Sequence, residues 1–219
     1  IKKLHKQILM SRAYQTASGH DAASATKDPK NAFYWRFDRR RLTAEEIRDT
    51  MLAASGQLDL TMPGAHPFPP RGSYVYTQHH PFVADLDKFD HRHRSVYLLQ
   101  QRFRRNPYLE LFDGPDPNNT TPSRSDNISA LQSLYFMNND FVARQAEALA
   151  ARVALDSDSL PARVDQAYRL LFTRPAAAPE IADATQLVAK VEANTKDRKL
   201  AWTSLMRALL SSNEFFYVD

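Results

Sequence analysis

The sequence predicts a mainly α-helical fold, a helical bundle with a Pro- and His-rich irregular middle segment and at most short strands. Three observations predict it. Four successive stretches after residue 140 repeat apolar residues at i, i+3, i+4 and i+7. Prolines 63, 67, 69, 70 and 81 fall within residues 57–93 and forbid a long helix or central strand there. Only residues 74–77 and 95–99 have the composition of a short strand or extended segment.

The elements follow in order. Residues 1–18 carry Ile1, Leu4, Ile8 and Leu9 at helical spacing with lysines on the other side, and no cap precedes Ile1, so the sequence reads as entering its first helix partway. Residues 19–32 are a loop by composition. Thr43, Ala44, Glu45 and Glu46 form a capping box that opens a helix with Ile47, Met51, Ala54 and Leu58 on one face, and Gly56 supplies its left-handed stop. Residues 57–127 are irregular, with a turn-rich stretch at 113–127, inside a single domain spanning 1–219. From residue 128 the chain is helical. Phe141, Val142, Gln145, Leu149 and Val153 mark one helix; Val164, Ala167, Tyr168, Leu171 and Phe172 mark the next, entered through Pro161. Ile181, Ala184, Leu187, Val188 and Val191 mark a third, and Trp202, Leu205, Met206, Leu209 and Leu210 a fourth. One apolar stripe each predicts a C-terminal bundle of about four to six helices.

Composition narrows the function classes. The chain has 219 residues, 43% hydrophobic and 25% charged, ordinary globular usage with enough length to fold without a disulfide or structural metal. No apolar run approaches the ~18 residues a membrane span needs. There is no cysteine, which removes thiolate catalysis, Cys-ligated metal and thioether haem attachment from this segment. The net charge of +4 is uneven: residues 1–105 hold 18 Lys and Arg against 10 Asp and Glu, and residues 106–219 hold 11 against 15. Either a basic face meets an acidic polymer, or the arginine-rich half pairs with the acidic half inside the fold. No nucleic-acid reader motif accompanies the arginines, so nucleic acid ranks last among the partners. Dinucleotide, phosphate-loop, nucleophile-elbow and zincin motifs are all missing.

Three constellations could carry chemistry. His66, His79, His80, His91 and His93 cluster with Asp85, Asp87 and Asp90, a donor set that suits a loop-built divalent metal site, although no pair has diagnostic helical spacing. The bland alternative is histidines bonded to backbone in a loop packed by Phe68 and Phe82. Asp113, Asp116 and Asn118 are hard oxygen donors within six residues, either calcium ligands or the carboxylates of a rigid Asp-Pro turn paired with an arginine such as Arg124. Trp35, Arg36, Arg39, Arg40 and Arg41 could grip an anion with the indole as a platform, or be absorbed in ion pairs.

Several stretches together resemble one family: Asp28-Pro29-Lys30-Asn31, Trp35 through Leu42, Glu45 through Asp49, Ser55 through Asp59, Arg94 through Leu98, Phe112 through Asn118, Gln132-Ser133-Leu134 with Met137-Asn138-Asn139, and Ser212 through Asp219. The set is similar to the planctomycete-specific PSD domain, domain of unknown function 1553, from the first helix to the last residue. Ser133 stands where relatives carry Ala, and Ala178-Pro179-Glu180 replaces a Thr-Pro-Glu-Glu cap, which weakens the start of the third bundle helix. The resemblance implies the C-terminal part of a longer exported, periplasmic bacterial protein, with upstream domains that often include a c-type cytochrome. It carries no catalytic residues. The reading is therefore a non-catalytic interaction module that docks a partner domain or an acidic polysaccharide, with no cofactor of its own. The alternative is a metal-dependent enzyme domain acting on polysaccharide, with a site built from His66, His79, His80, Asp113 and Asp116.

Overall fold

Helical periodicity becomes helix wherever a cap starts it and a neighbour covers it. The computed structural model describes residues 1–64, 75–76, 81–82, 91–100, 102, 105–124, 127–156 and 159–218. They are mainly α, with two short two-stranded antiparallel sheets. Chain contacts define two compact units, residues Ile1–Leu42 with Phe216–Asp219 and residues Thr43–Phe215.

In the first unit, α1 (Lys2–Leu9) ends at its last periodic apolar residue, short of the 1–18 stretch that carries it. Ser11 explains the stop, since its hydroxyl donates to the Ile8 carbonyl at 2.7 Å and competes with the next helical turn. The loop expected at 19–32 holds a short α2 (Ala22–Lys27), because the Asp21 carboxylate caps Ser24 N at 2.8 Å ahead of an alanine-rich turn. Strand β1 (Arg40–Arg41) pairs antiparallel with the C-terminal strand (Tyr217–Val218), Arg40 opposite Val218.

In the second unit, α3 (Ala44–Ala54) starts at the predicted box: Thr43 Oγ1 accepts from Glu46 N at 3.4 Å and Glu46 Oε2 accepts from Thr43 N at 2.8 Å. Gly56 ends it at φ +73°, a conformation that side chains disfavour. Strands β2 (Val75–Tyr76) and β3 (Pro81–Phe82) pair within the irregular middle. The segment expected to be extended at 95–99 begins as a 3₁₀ turn over Ser95–Tyr97, because Asp49 of α3 accepts from both Ser95 N and Ser95 Oγ at 2.7 Å. Helix α4 (Pro107–Leu111) is capped by Asn106.

Five helices make up the C-terminal part: α5 (Ala130–Asn138), α6 (Asp140–Asp156), α7 (Leu160–Phe172), α8 (Ala178–Thr195) and α9 (Arg198–Leu210). Strand β4 is the Tyr217–Val218 segment that pairs with β1. Helix α9 is the hub. It packs against both α6 and α8 and buries Ala201, Trp202, Leu205, Met206, Leu209 and Leu210. Val142, Leu149 and Val153 of α6 and Val164 of α7 are fully buried, each worth about 1.5–3 kcal/mol of apolar transfer. At α8, Ala177 offers no hydroxyl, yet the Glu180 carboxylate still accepts from Ala177 N at 2.7 Å. Arg174 then ties Glu180 to Glu214 through contacts of 2.6–2.8 Å, so an ion pair holds the turn that lacks a Thr cap.

Candidate functional site

The arginine segment is the first site the sequence points to, and much of it is used to build the loop that carries it. The Asp28 carboxylate accepts from Ala32 N at 2.9 Å and Phe33 N at 2.8 Å, and its carbonyl accepts from Trp35 Nε1 at 2.9 Å. Buried Asn31, at φ +53°, clasps Arg36 from both ends of its carboxamide: Nδ2 donates to Arg36 O at 2.9 Å and Oδ1 accepts from Arg36 N at 3.3 Å. The Asp28 and Asn31 stretch thus acts as a brace for residues 31–36.

The five candidate residues do not converge. Arg36 and Arg39 line a cavity of about 420 Å³ with Ser18, His20, Phe37 and Asp38. The Arg36 guanidinium lies 5.0 Å from the Trp35 ring centroid and its Nε is 3.8 Å from Asp38. Arg40 and Arg41 lie in β1, where Arg41 stacks 5.9 Å from the Phe216 ring. Trp35 is half-buried and tied by its N–H, whereas Phe33 and Tyr34 beside it are 85% and 72% exposed. The exposed rings of this segment are therefore those of Phe33 and Tyr34, not the indole of Trp35.

Of the metal candidates, His66, His79 and His80, with Asp85, Asp87 and Asp90, lie outside the described residues. Asp113 and Asp116 organise a turn. Asp113, at φ +57°, accepts from Asn127 N and Asn127 Nδ2 at 3.2 Å. Asp116 accepts from Asn118 N at 2.9 Å and from Asn119 Nδ2 at 2.9 Å. The Asn118 backbone N–H holds the Asp116 carboxyl below its ordinary range, with further help from the side-chain amides. Gly114 is required by space, since a Cβ there would lie 2.7 Å from Leu109 O. Arg124 is not the arginine of this turn; it forms a two-pronged pair with Glu45 at 2.6 and 3.1 Å. Among the described residues no group of three or more His, Asp or Glu is placed to hold a metal ion.

His91 and His93 are braced by α3. Buried Arg48 donates to the carbonyls of His91 and His93 and to Ser95 Oγ, and His93 Nδ1 lies 3.4 Å from Asp59. Burial, followed by the Arg48 charge, pushes the His91 imidazole below its usual pKa and favours its neutral form.

The sequence model of the family PSD1, "Protein of unknown function (DUF1553)", matches residues 1–188. The chain belongs to the PSD1 family. The match covers α1 through most of α8, so the closing stretch at 212–219 that also resembles the family lies beyond it. No curated protein and no solved structure matches the PSD1 chain.

One surface of the PSD1 chain was not singled out from sequence. Helix α5 turns Gln132 and Phe136 inward, where Gln132 Nε2 donates to Leu111 O at 2.9 Å and Phe136 packs edge-on to Phe112. On its other side Leu131, Leu134 and Met137 are 65%, 49% and 60% exposed, and Ile128 just before the helix is 75% exposed. Spacings of three keep Leu131, Leu134 and Met137 within about a third of the helix circumference. In the first unit, α1 buries none of its residues: Ile1, Leu4, Ile8 and Leu9 are exposed opposite Lys2, Lys3 and Lys6. Among the described residues no helix is long and apolar enough to cross a membrane.

Proposed function

We propose that the PSD1 chain is a non-catalytic docking module of a larger exported bacterial protein, and that it holds a neighbouring domain of that protein on the outer flank of α5. The observation that carries this reading is the exposure of Leu131, Leu134 and Met137 on a helix whose opposite side is built into the fold, with exposed Ile128 just before its first turn. Grouped exposed apolar side chains are the kind of surface that protein contacts use. The exposed apolar side of α1 belongs to the same reading, as a second contact offered by the first unit. The larger protein, its export and a haem-bearing upstream domain rest on the family resemblance. The motif residues themselves support a structural module, since Asp28, Asn31, Asp49, Asp113 and Asp116 all hold backbone.

The test uses the full-length protein. Leu131→Glu with Leu134→Glu is expected to release the module, seen as an increased radius of gyration with unchanged helix content. An unchanged radius contradicts the proposal.

A further inference from the structure

A cleft of about 580 Å³ opens in the second unit beside α6, the start of α9 and the loop segments at 57 and 91–92. Small-molecule sites span roughly 300–1,000 Å³, so the volume suits a small ligand. Among the described residues Arg92, Arg144 and Lys199 line it together with Glu147, which is paired with Lys199. Two guanidinium groups thus bias the opening toward an anion, and their planar forks match a carboxylate.

The polar groups are set in place. Arg92 Nη1 donates to Gln57 Oε1 at 2.7 Å, which fixes a guanidinium and a carboxamide side by side. Gln145 lines the same cleft although it is 94% buried as a residue, and its Oε1 accepts from Ser55 Oγ at 2.7 Å, which fixes the carboxamide. Phe141 provides a flat apolar wall, continued by the small side chains of Ala148 and Ala151. The ring is backed by buried Arg48, whose guanidinium lies 5.5 Å from its centroid and also bonds the carbonyls of the 91–93 loop. One buried side chain therefore braces both the wall and the loop.

Each element answers a different part of one ligand. The arginines meet a carboxylate, carboxamides carry both a donor and an acceptor and so match hydroxyl groups, and an aromatic face packs against the C–H face of a sugar ring. We infer that this cleft binds an acidic sugar, a hexuronate unit whose carboxylate meets Arg92 and Arg144 while its ring lies on Phe141. The site is separate from the α5 flank and stands or falls independently of the docking role.

The whole chain is titrated with D-glucuronate by calorimetry and by ligand-observed NMR, with D-glucose keeping only the ring and acetate only the charge. Saturable glucuronate binding is expected, at least tenfold tighter than either control and weakened at least tenfold by Arg144→Gln. Arg144 is exposed, so the variant should keep the wild-type unfolding midpoint; Arg92→Gln serves if it does not. The inference is overturned by the lack of saturable glucuronate binding, by wild-type affinity in the folded variant, or by glucose or acetate binding as tightly as glucuronate.

Discussion

Helices α5 and α6 are consecutive, separated only by Asn139, and meet opposite fates. Helix α6 gathers Val142, Ala146, Leu149 and Val153 into one stripe and buries all four completely where it packs with α7 and α9. Helix α5 has large apolar residues on both sides, yet of its residues only Gln132 and Phe136 are buried. The difference lies in the supply of neighbours. Large apolar side chains on a helix are normally buried, so the exposed Leu131, Leu134 and Met137 are where the docking proposal rests.

The contrast predicts unequal costs for similar truncations. Leu149→Ala on α6 should destabilise the second unit by about 2–5 kcal/mol through lost transfer and a residual cavity, whereas Leu134→Ala on α5 should stay within about 0.5 kcal/mol. Denaturant melts of the two variants check both at once; equal losses would mean that α5 is part of the core. Arg48→Ala comes next, at about 2 kcal/mol, because it removes the donor to the His91 and His93 carbonyls and the brace behind Phe141. The same variant should lower glucuronate affinity with no change at the α5 flank.

A smaller, pH-dependent effect sits at the start of α8. Hydrogen bonds from Arg174 hold the Glu180 carboxyl below its ordinary 4.5. A folded-state value below the unfolded one adds stability above pH 4.5 and loses it as pH falls through the folded value. The unfolding midpoint should therefore drop more steeply below pH 4.5 in the wild type than in Glu180→Gln. Equal slopes would mean that the pair with Arg174 contributes nothing. Smallest of all, chelator treatment should leave the midpoint unchanged, since the docking account uses no metal; a clear fall would turn attention to the histidine-rich segment.

Periodicity made the bundle legible. The stripes of α6, α7, α8 and α9, the Thr43–Glu46 box and the Gly56 stop all follow from local rules, and the structure has each of them. The sites were harder to read for four physical reasons. A polar residue in a loop acts through whichever backbone it meets, so Asp28 and Asn31 gave no local sign that they organise residues 31–36. Charge normally signals exposure, which hid buried Arg48. An apolar flank has the same spacing whether or not a neighbour covers it, so α5 read simply as more bundle. The cleft draws on residues 57, 92, 141–145 and 199, too far apart in sequence to form a motif.

The central claim is that the outer flank of α5 is covered in the intact protein, and the cysteine-free chain lets one thiol test it. Leu134→Cys is placed in the isolated chain and in the full-length protein, and its alkylation rate is followed by mass spectrometry of the α5 peptide. The account predicts fast labelling in the isolated chain and at least tenfold protection in the full-length protein. Equal rates in the two would show the flank bare in both and would contradict the docking role.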